Sequence, residues 1–276
     1  MTVLEDKGEV FGDWQRDSNS VSLGALVKYY IILLLILYGL ALTFALARKA
    51  PRSQTRKPTS HGWGNRLRVL IIGATGGTGR QLVQQALDSG HQVTALVRNP
   101  ARLKIAHPNL KVVKGNVLDY ASIEAAMPGQ SAVVCALGHK RWFYPTRILS
   151  EGTRNILRAM KNRNVPRLIC ETSLGIGNTV GRGGLFNTFF VIPLILPFYF
   201  WDKVRQEEII AESDRDWVIV RPGALTNGAR RGKYRHDLNL WNFIWTARIS
   251  RADVADFMLK QLTDDDHLGT AVPVRW

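Results

Sequence analysis

A short stretch near residue 70 constrains the fold more than any other part of the chain, because it joins an apolar run to regularly spaced glycines. Residues 68–80 read RVLIIGATGGTGR. The apolar part, 69–72, is typical of a parallel strand that is buried on both faces. Apolar residues then recur with helical spacing, at Leu82, Val83, Ala86 and Leu87. A strand, a glycine turn and a helix in this order predict a unit that binds a dinucleotide.

The glycines have the spacing G-x-x-G-x-x-G, and each has a role in such a unit. Gly73 lets the chain turn sharply, Gly76 lets the backbone approach a pyrophosphate, and Gly79 lets the helix pack against the strand. The N–H groups at the start of the helix would then point at the phosphates. We therefore expect six residues of this turn to hold the cofactor: Gly73, Thr75, Gly76, Gly77, Thr78 and Gly79.

Strand and helix patterns alternate through the rest of the chain. Strands are predicted at 92–97, 110–114, 131–137, 167–172 and 217–220. Helices are predicted to end at 123–127 and to cover 146–162 and 252–262, the last one capped by Ser250. Such alternation is typical of βαβ units in a mostly parallel sheet that is covered on both faces. The predicted fold class is therefore α/β, a Rossmann-type doubly wound sheet, with residues 66–276 forming one NAD(P)-binding domain.

A long apolar stretch precedes this domain. Residues 29–47 are 19 in a row without a charged side chain, which is long enough to cross a bilayer as a helix. We predict a polar tail at 1–25 and a transmembrane helix at 26–47. A buried core helix and a cleaved signal peptide are the alternatives, since the Ala-Leu-Ala that ends the run resembles a cleavage site. The long acidic segment before the run disfavours the signal peptide.

The charges on the two sides of this stretch differ in sign. A basic linker is predicted at 48–65, where the cations are Arg48, Lys49, Arg52, Arg56 and Lys57. The positive-inside rule therefore places the C-terminal bulk of the chain in the cytoplasm. The chain carries a formal charge of +15, which favours anionic partners such as phosphates and lipid headgroups. Nucleic-acid binding is not predicted, because the basic run has no interleaved aromatic residues and no recognised nucleic-acid-binding fold.

Arginines occupy the region where the adenine ribose of the cofactor is expected. The second strand ends at Val97 and is followed by Arg98, where an NAD-binding protein would carry Asp or Glu. Arg102 follows shortly after, and Arg80 lies at the start of the first helix. Guanidinium groups suit a 2′-phosphate, so the sequence predicts NADP as the cofactor.

Several motifs together resemble the atypical short-chain dehydrogenase/reductase family, and its flavin reductase (biliverdin-IXβ reductase) branch most closely. The matching text is GATGGTG at 73–79, ALVRNPARL at 95–103, GNVLD at 115–119, SEGTRNILRAMK at 150–161, ETSLG at 171–175, WVIVRPGALT at 217–226 and SRADVADFML at 250–259. The resemblance implies a Rossmann domain that binds NAD(P)H and transfers hydride. Two positions depart from the pattern: Asn116 replaces an Asp near the adenine, and Ala224 stands where the flavin reductase branch carries a histidine.

The predicted cofactor site extends beyond the glycine turn. The further residues assigned to it are Arg80, Arg98, Arg102, Asn116, Val117, Leu137, Gly138 and Lys203. The resemblance supports Lys203, because this residue matches the lysine of the isoflavone-reductase-like branch.

Three side chains are candidates for the chemistry. Ser173 follows the fifth strand as the family's active-site serine does, and it could hydrogen-bond a substrate carbonyl; a local strand-end hydrogen bond is the alternative. Tyr199 and Lys203 form Y-x-x-x-K, a spacing that puts both on one face of a helix. The ammonium would favour the phenolate of Tyr199 and make the phenol a better proton donor to a carbonyl. Simple packing or membrane contact is an equal alternative for Tyr199, which lies in an apolar run.

The apolar stretch 186–201 is interrupted by Pro193 and Pro197 and is too short to span a bilayer. We expect it to form a lid over the substrate or to dip into the membrane near the active site, which would suit a lipophilic substrate such as a quinone, isoprenoid or sterol-like molecule. A flavin is the other predicted substrate. The predicted function is a membrane-anchored, NADP(H)-dependent oxidoreductase. A non-catalytic NADP-binding redox sensor or assembly factor is the alternative, and an epimerase or dehydratase that holds NAD tightly is a third possibility.

Metal and disulfide chemistry are not predicted. The six histidines are scattered without ligand spacing. Cys135 and Cys170 both fall inside apolar runs, so we expect them to be buried, reduced thiols.

Overall fold

The computed structural model of the chain describes residues 23–48, 64, 66–139, 141, 144–236 and 246–276. Its helices are α1 (Leu23–Arg48), α2 (Gly77–Asp88), α3 (Tyr120–Ala126), α4 (Ile148–Asn162), α5 (Pro197–Ala211) and α6 (Arg251–Lys260). Its strands are β1 (Arg68–Ile72), β2 (Gln92–Val97), β3 (Leu110–Lys114), β4 (Ala132–Cys135), β5 (Arg167–Glu171), β6 (Asp216–Pro222), β7 (Ala224–Thr226), β8 (Arg248–Ser250) and β9 (Thr270–Val274). The predicted polar tail and basic linker lie almost wholly outside the described residues.

Seven strands form one sheet, and every neighbouring pair in it is parallel. Their order is β3-β2-β1-β4-β5-β6-β9. At the carboxyl end of β1, Ile72 lies beside Leu96 of β2 and Cys135 of β4. The order reverses between β1 and β4, and such a reversal forms the crevice in which open α/β sheets bind their ligands. The predicted Rossmann-type doubly wound fold is therefore confirmed.

Alternate side chains of β1 supply two apolar layers, one on each face of the sheet. Val69 and Ile71 pack in the layer that contains residues of α2 and α6. Leu70 and Ile72 pack in the layer that contains residues of α3, α4 and α5. All four are at most 1% exposed, and burying one such side chain stabilises a fold by about 1.5–3 kcal/mol. The strand that leads into the glycine turn is thus held rigidly from both sides.

Helix α1 is apolar along its whole length. Its residues Leu23–Ala47, 25 in all, have a mean hydropathy of 2.5 in their most apolar part. Within the described part of the chain it is the one helix long and apolar enough to cross a membrane, by length and composition alone. The chain divides into two compact units between Tyr38 and Gly39, so the last turns of α1 belong to the same unit as the sheet.

The last turns of α1 pack against the segment that joins β5 to α5. The buried members of this apolar cluster are Leu42, Leu46, Ile176, Ile192, Phe200 and Val204. Gly39 faces this segment, since an added Cβ there would be in ordinary van der Waals contact with the carbonyl oxygen of Phe189, at 3.8 Å. This end of α1 is therefore part of the core of the larger unit.

Wide, π-helical turns at Asn187–Ile195 precede α5. The N–H of Leu196 donates to the carbonyl of Val191 at 3.0 Å, which is a five-residue hydrogen bond. Pro193 lies inside these turns, whereas Pro197 opens α5, where its missing N–H would have had no helical partner. The sequence analysis did not predict helical structure here, because an internal proline normally breaks a helix.

Predicted strand positions agree closely with the structure for the first strands and miss the last three. The bounds of β2 and β3 are those predicted, and Ser250 caps α6 as expected, accepting a hydrogen bond from the N–H of Asp253 at 2.9 Å. Strands β7 and β8 have only three residues each, too few for a periodic pattern. Strand β9 contains Pro273, which is tolerated because β9 lies at the edge of the sheet.

Candidate active site

The glycine turn closes β1 onto β4 and α2 because two of its positions carry no Cβ. Gly73 has a φ of +84°, and a Cβ there would lie 2.3 Å from the carbonyl oxygen of Ala136. At Gly79 a Cβ would lie 2.1 Å from the carbonyl oxygen of Gly73. The N–H of Gly76 donates to that same carbonyl at 2.8 Å. The turn therefore has the tight geometry that brings backbone N–H groups up to a pyrophosphate.

The start of α2 is open to an anion. Gly76 is the N-cap, and no side chain of the described residues caps the helix. The N–H groups of Gly77 and Thr78 belong to the first turn, where a helix has no internal acceptors for them. N–H groups in this position, together with the helix dipole, are of the kind that binds a phosphate, and phosphate binding at this turn stays a prediction.

A buried carboxyl ties β5 to this turn. The hydroxyl of Thr78 donates to Oε1 of Glu171 at 3.1 Å. Glu171 ends β5 and is 7% exposed. Burial raises the pKa of the Glu171 carboxyl, although the Lys203 ammonium and the Thr78 hydrogen bond act in the opposite direction. The sequence analysis missed Glu171, yet a charged residue at the end of the apolar strand run RLIC was a usable signal.

Arg251 reaches the glycine turn from the first position of α6. A Cβ at Gly77 would lie 2.4 Å from Cδ of Arg251, so the arginine side chain lies directly against the turn. Its Nη1 donates to Oδ1 of Asn227 at 2.6 Å, which fixes the guanidinium. A guanidinium beside free N–H groups is well placed to bind a phosphate oxygen. Arg251 belongs to the segment SRADVADFML but was not predicted as a site residue.

A cavity of about 430 Å³ lies beside the end of β2. It is lined by Arg80, Ala101, Arg102, Lys104 and Ile105. Nη2 of Arg80 donates to the carbonyl of Arg102 at 3.3 Å, which holds the two predicted arginines together. Arg98 is exposed and does not line this cavity, whereas Lys104, which was not predicted, does. The cavity walls thus concentrate positive charge near the predicted ribose position.

The other predicted cofactor residues follow the carboxyl ends of β3 and β4. Asn116 is exposed, and its Oδ1 accepts a hydrogen bond from the N–H of Leu118 at 3.2 Å. Val117 is 9% exposed, half-buried Leu137 lies just beyond β4, and Gly138 is exposed. These positions flank the crevice on both sides of β1.

Ser173 lies just past the end of β5 and is half-buried. Its hydroxyl donates to the carbonyl of the next residue, Leu174, at 3.2 Å. This is the local hydrogen bond that the sequence analysis gave as the alternative role. The same hydroxyl could turn to a substrate carbonyl without breaking any other hydrogen bond that the structure gives it.

Tyr199 and Lys203 lie on one face of α5, as their spacing predicts. Nζ of Lys203 is 5.1 Å from the centroid of the Tyr199 ring. A Cβ at Gly138 would lie 3.7 Å from the Tyr199 hydroxyl oxygen, so this hydroxyl points at the loop after β4. Both residues therefore approach the crevice from the side of β4 and β5.

Lys203 is 2% exposed, which is unusual for a lysine. Burial by itself would lower the pKa of its ammonium, but the neighbouring Tyr199 and Glu171 more than compensate, and the pKa is raised. The ammonium is therefore charged at neutral pH. Its positive charge interacts with both the tyrosine and the buried carboxyl that accepts the Thr78 hydroxyl.

His139 joins this group from the loop after β4 and was not predicted. Its ring meets that of Tyr199 edge-to-face, with centroids 4.9 Å apart. The N–H of Arg141 donates to Nδ1 at 3.2 Å, so the neutral ring carries its proton on Nε2, which is 3.0 Å from the Thr146 hydroxyl. Burial lowers the pKa of His139 and keeps the ring neutral at pH 7. A single loop histidine has no spacing that a sequence analysis could use.

A carboxylate on α5 fixes the position of this helix against α4. Asp202 is fully buried, and it accepts hydrogen bonds from the N–H groups of Leu149 at 2.9 Å and Ser150 at 3.2 Å. It thereby caps α4, whose own N-cap residue, Arg147, makes no side-chain capping bond. Such a cap is worth about 1 kcal/mol. The same hydrogen bonds fix the rotation of α5 about its axis, and this rotation directs Tyr199 and Lys203 towards the crevice.

One turn further along α5, a buried ion pair joins the helix to β6. Arg221 donates to Glu207 from Nε at 3.0 Å and from Nη2 at 2.6 Å. The side chains are 1% and 0% exposed. The hydroxyl of Thr172 donates to the same carboxylate at 2.6 Å. The end of β5, and with it Ser173, is thus tied to α5.

Both cysteines are free and buried, as predicted, and they lie side by side on β4 and β5. Across the described ranges, no group of three His, Cys, Asp or Glu side chains could hold a metal ion.

Comparison with known proteins agrees with this geometry. A family profile described as NAD(P)H-binding matches residues 73–265, and the chain belongs to this family. Among its relatives, an uncharacterized chloroplastic protein of Arabidopsis thaliana is 27% identical over 72% of this chain and 73% of its own. The oxidoreductase ptaF of Pestalotiopsis fici is 25% identical over 71% of this chain and 79% of its own. The photosystem II assembly factor Ycf39 of Synechocystis is 30% identical over 75% of this chain and 62% of its own.

Solved structures confirm the architecture. ChuY, an anaerobilin reductase of Escherichia coli O157:H7, superposes with a TM-score of 0.62 over 75% of this chain and 96% of its own, at 22% identity. The chain therefore has the NAD(P)H-binding, Rossmann-like fold, and the described residues include one apolar N-terminal helix.

Proposed function

We propose that the protein is a membrane-anchored oxidoreductase that uses NADPH to reduce a lipophilic acceptor such as a quinone, with a flavin as the alternative acceptor. The observation that carries this proposal is the placement of Tyr199 and Lys203 at the crevice. Lys203 is near enough to Glu171 for the two charges to interact, and the Glu171 carboxylate accepts the hydroxyl of Thr78 in the glycine turn. The pair of residues that could protonate an acceptor therefore lies in the same charged surroundings as the turn that would hold the cofactor.

Each side chain has a distinct part in the proposed reaction. A bound NADPH would supply the hydride. Tyr199 donates a proton to the acceptor oxygen, and the fixed charge of Lys203 stabilises the phenolate that remains until solvent reprotonates it. Ser173 orients the acceptor oxygen through its hydroxyl. His139 holds the tyrosine ring by its edge-to-face contact.

We propose NADPH in preference to NADH because of the cationic cavity beside β2. Replacing Arg102 with Ala should weaken NADPH binding by about 10- to 100-fold, the value of one charge-assisted hydrogen bond, and leave NADH binding unchanged. Fluorescence titration of the full-length protein with both nucleotides measures this. Lys161→Ala, an exposed cation at the end of α4, is the control. Equal losses for NADPH and NADH would contradict the proposed phosphate site.

The proposed role of Ser173 is tested by turnover. With the full-length protein in nanodiscs and a series of quinones, Ser173→Ala should lower the rate of NADPH oxidation about tenfold, the scale of one neutral hydrogen bond. NADPH affinity should not change, since the hydroxyl faces the acceptor. An unchanged rate would leave Ser173 with only its hydrogen bond to Leu174.

We also propose that residues 26–47 of α1 anchor the protein in a membrane. The length and uniform apolarity of α1 support this, as do the exposed large side chains of its first part. The basic residues that follow it in the sequence favour a cytoplasmic location for the domain.

A non-catalytic role, as an NADP-binding sensor or assembly factor, is the second candidate. It is favoured by the relative named as a photosystem II assembly factor, and by Ala224 at the position of the flavin reductase histidine. Tight NADPH binding without oxidation by any acceptor would support this candidate over the first.

A further inference from the structure

Residues 185–198 carry an exposed apolar face. The exposed large side chains, between 39% and 63% accessible, are Leu185, Phe186, Phe190, Leu194, Ile195 and Phe198. The sequence from 183 to 201 contains no charged residue. A contiguous patch of this kind is uncommon on a water-exposed surface and marks a contact with a partner or a membrane.

The spacing of these side chains defines two sides of the segment. Phe186, Phe190, Leu194 and Phe198 follow one another at intervals of four residues, and the rings of the first two stack with centroids 5.8 Å apart. On the other side, Thr188, Ile192 and Phe200 are at most 7% exposed. The segment thus presents one side to the protein and an uninterrupted apolar side to its surroundings.

The side chains of Asn187 and Thr188 donate hydrogen bonds to nearby backbone carbonyls. Nδ2 of Asn187 donates to the carbonyl of Gly183 at 3.1 Å, and the hydroxyl of Thr188 donates to the carbonyl of Gly184 at 2.9 Å. The π-helical hydrogen bond from Leu196 continues this pattern in the backbone. Internal satisfaction of polar groups is the condition for placing a chain segment in hydrocarbon.

The depth of the segment follows from its contact with α1. Gly39 lies opposite Phe189 and Pro193. A Cβ added at Gly39 would lie 3.8 Å from the carbonyl oxygen of Phe189 and 3.9 Å from Cγ of Pro193. Gly39 is nine residues before Arg48, the end of α1, which corresponds to about 13 Å along a helix that rises 1.5 Å per residue. One leaflet of hydrocarbon is about 15 Å thick. If α1 spans the bilayer, the segment reaches far into the leaflet at the C-terminal end of α1.

We propose that residues 185–198 form a re-entrant segment that lies in this leaflet beside α1, so that a lipid-soluble acceptor reaches Tyr199 from the bilayer. The occupant of the apolar face is lipid hydrocarbon, because the segment packs on the last, apolar turns of α1 through their shared apolar cluster. Tyr199 directly follows Phe198, which places the candidate proton donor at the edge of the lipid-facing surface. This inference rests on the proposed membrane anchoring.

Fluorescence of a single label in liposomes tests the inference. Full-length Phe190→Cys, labelled with an environment-sensitive maleimide dye, should be quenched by acyl-chain spin-labelled lipids severalfold more than by aqueous iodide. Val112→Cys, on the edge strand β3 and 38% exposed, should show the reverse. Leu33→Cys, within α1, is the positive control and tests the anchor itself. Cys135 and Cys170 are 1% exposed, and the labelled wild type measures any background they give.

The possible outcomes are distinct. Iodide quenching at residue 190 with lipid quenching at residue 33 would overturn the re-entrant segment while leaving the anchor in place. Shielding of residue 190 from both quenchers, with cross-linking between two labelled chains, would show that a second copy covers the face and would also overturn the proposal. Because the measurement needs no acceptor or turnover, a failure of the proposed enzymatic function cannot be mistaken for either result.

Discussion

Replacing Lys203 with Met is expected to lower the rate of NADPH oxidation about 10³-fold, within the range for loss of general acid assistance. The lysine is buried, charged and 5.1 Å from the centre of the Tyr199 ring. Without its charge, the phenolate left by proton donation would lose the cation that stabilises it. The measurement is single-turnover NADPH oxidation by the full-length protein, with NADPH affinity measured in parallel.

Two matched variants separate this role from general damage. Arg205→Met removes an exposed cation from the same helix and should change the rate by less than about twofold, because an exposed charge is screened by solvent. Lys203→Arg keeps the positive charge and should retain much more activity than the Met variant. Equal rates for Lys203→Met and wild type would refute the proposed proton transfer.

The same substitution should change the pH dependence of stability. The pKa of the Glu171 carboxyl is raised by burial, and the Lys203 ammonium opposes that rise. Removing the ammonium raises the pKa further. A carboxyl whose pKa is higher in the folded state binds its proton more tightly there, so the fold loses stability as the pH rises and the group ionises. The Tm of the Lys203→Met variant should therefore lie further below that of the wild type at pH 8 than at pH 5.

Arg221→Met is expected to destabilise the folded protein by about 3–5 kcal/mol, because it leaves the Glu207 carboxylate buried without its partner. Glu207 is 0% exposed, and the two hydrogen bonds from Arg221 are its main compensation. Urea unfolding of the detergent-solubilised full chain measures the change. A loss below about 1 kcal/mol would contradict the assignment of this pair as a buried, interdependent unit.

An exposed pair of equal length provides the control. Arg154 and Glu151 are also 2.6 Å apart, but their side chains are 56% and 40% exposed. Arg154→Met should cost no more than about 1 kcal/mol, since water solvates the remaining carboxylate. The double variant Arg221→Met with Glu207→Gln should recover part of the lost stability, because no buried charge then remains unpaired.

The fold could be predicted because its determinants are local. The apolar run 69–72, the glycine spacing after it and the alternating patterns beyond are readable without knowledge of distant contacts. Tyr199 and Lys203 were found for the same reason, since an i, i+4 spacing on a helix puts two side chains on one face. Six strands of the sheet were predicted in this way, whereas β9, which joins its edge, was not.

The remaining site residues could not be predicted because they meet only in the folded chain. Thr78 and Glu171 are 93 residues apart in sequence, yet they share a hydrogen bond. Arg251 and His139 come from loops and helix ends whose positions depend on how the whole sheet is packed. The burial and raised pKa of Lys203 are likewise products of tertiary structure, which a single sequence does not display.

The packing of the last turns of α1 has a consequence for producing the protein in soluble form. Leu42 and Leu46 are 7% and 2% exposed because they fill the cluster around Ile192 and Phe200. The sequence suggests a truncation at residue 60, within the predicted linker. Such a truncation would remove these side chains from the domain and expose the apolar side chains in the first turns of α5. A chain that starts near Gly39, where the second compact unit begins, keeps the cluster intact and is the better starting point for crystallisation.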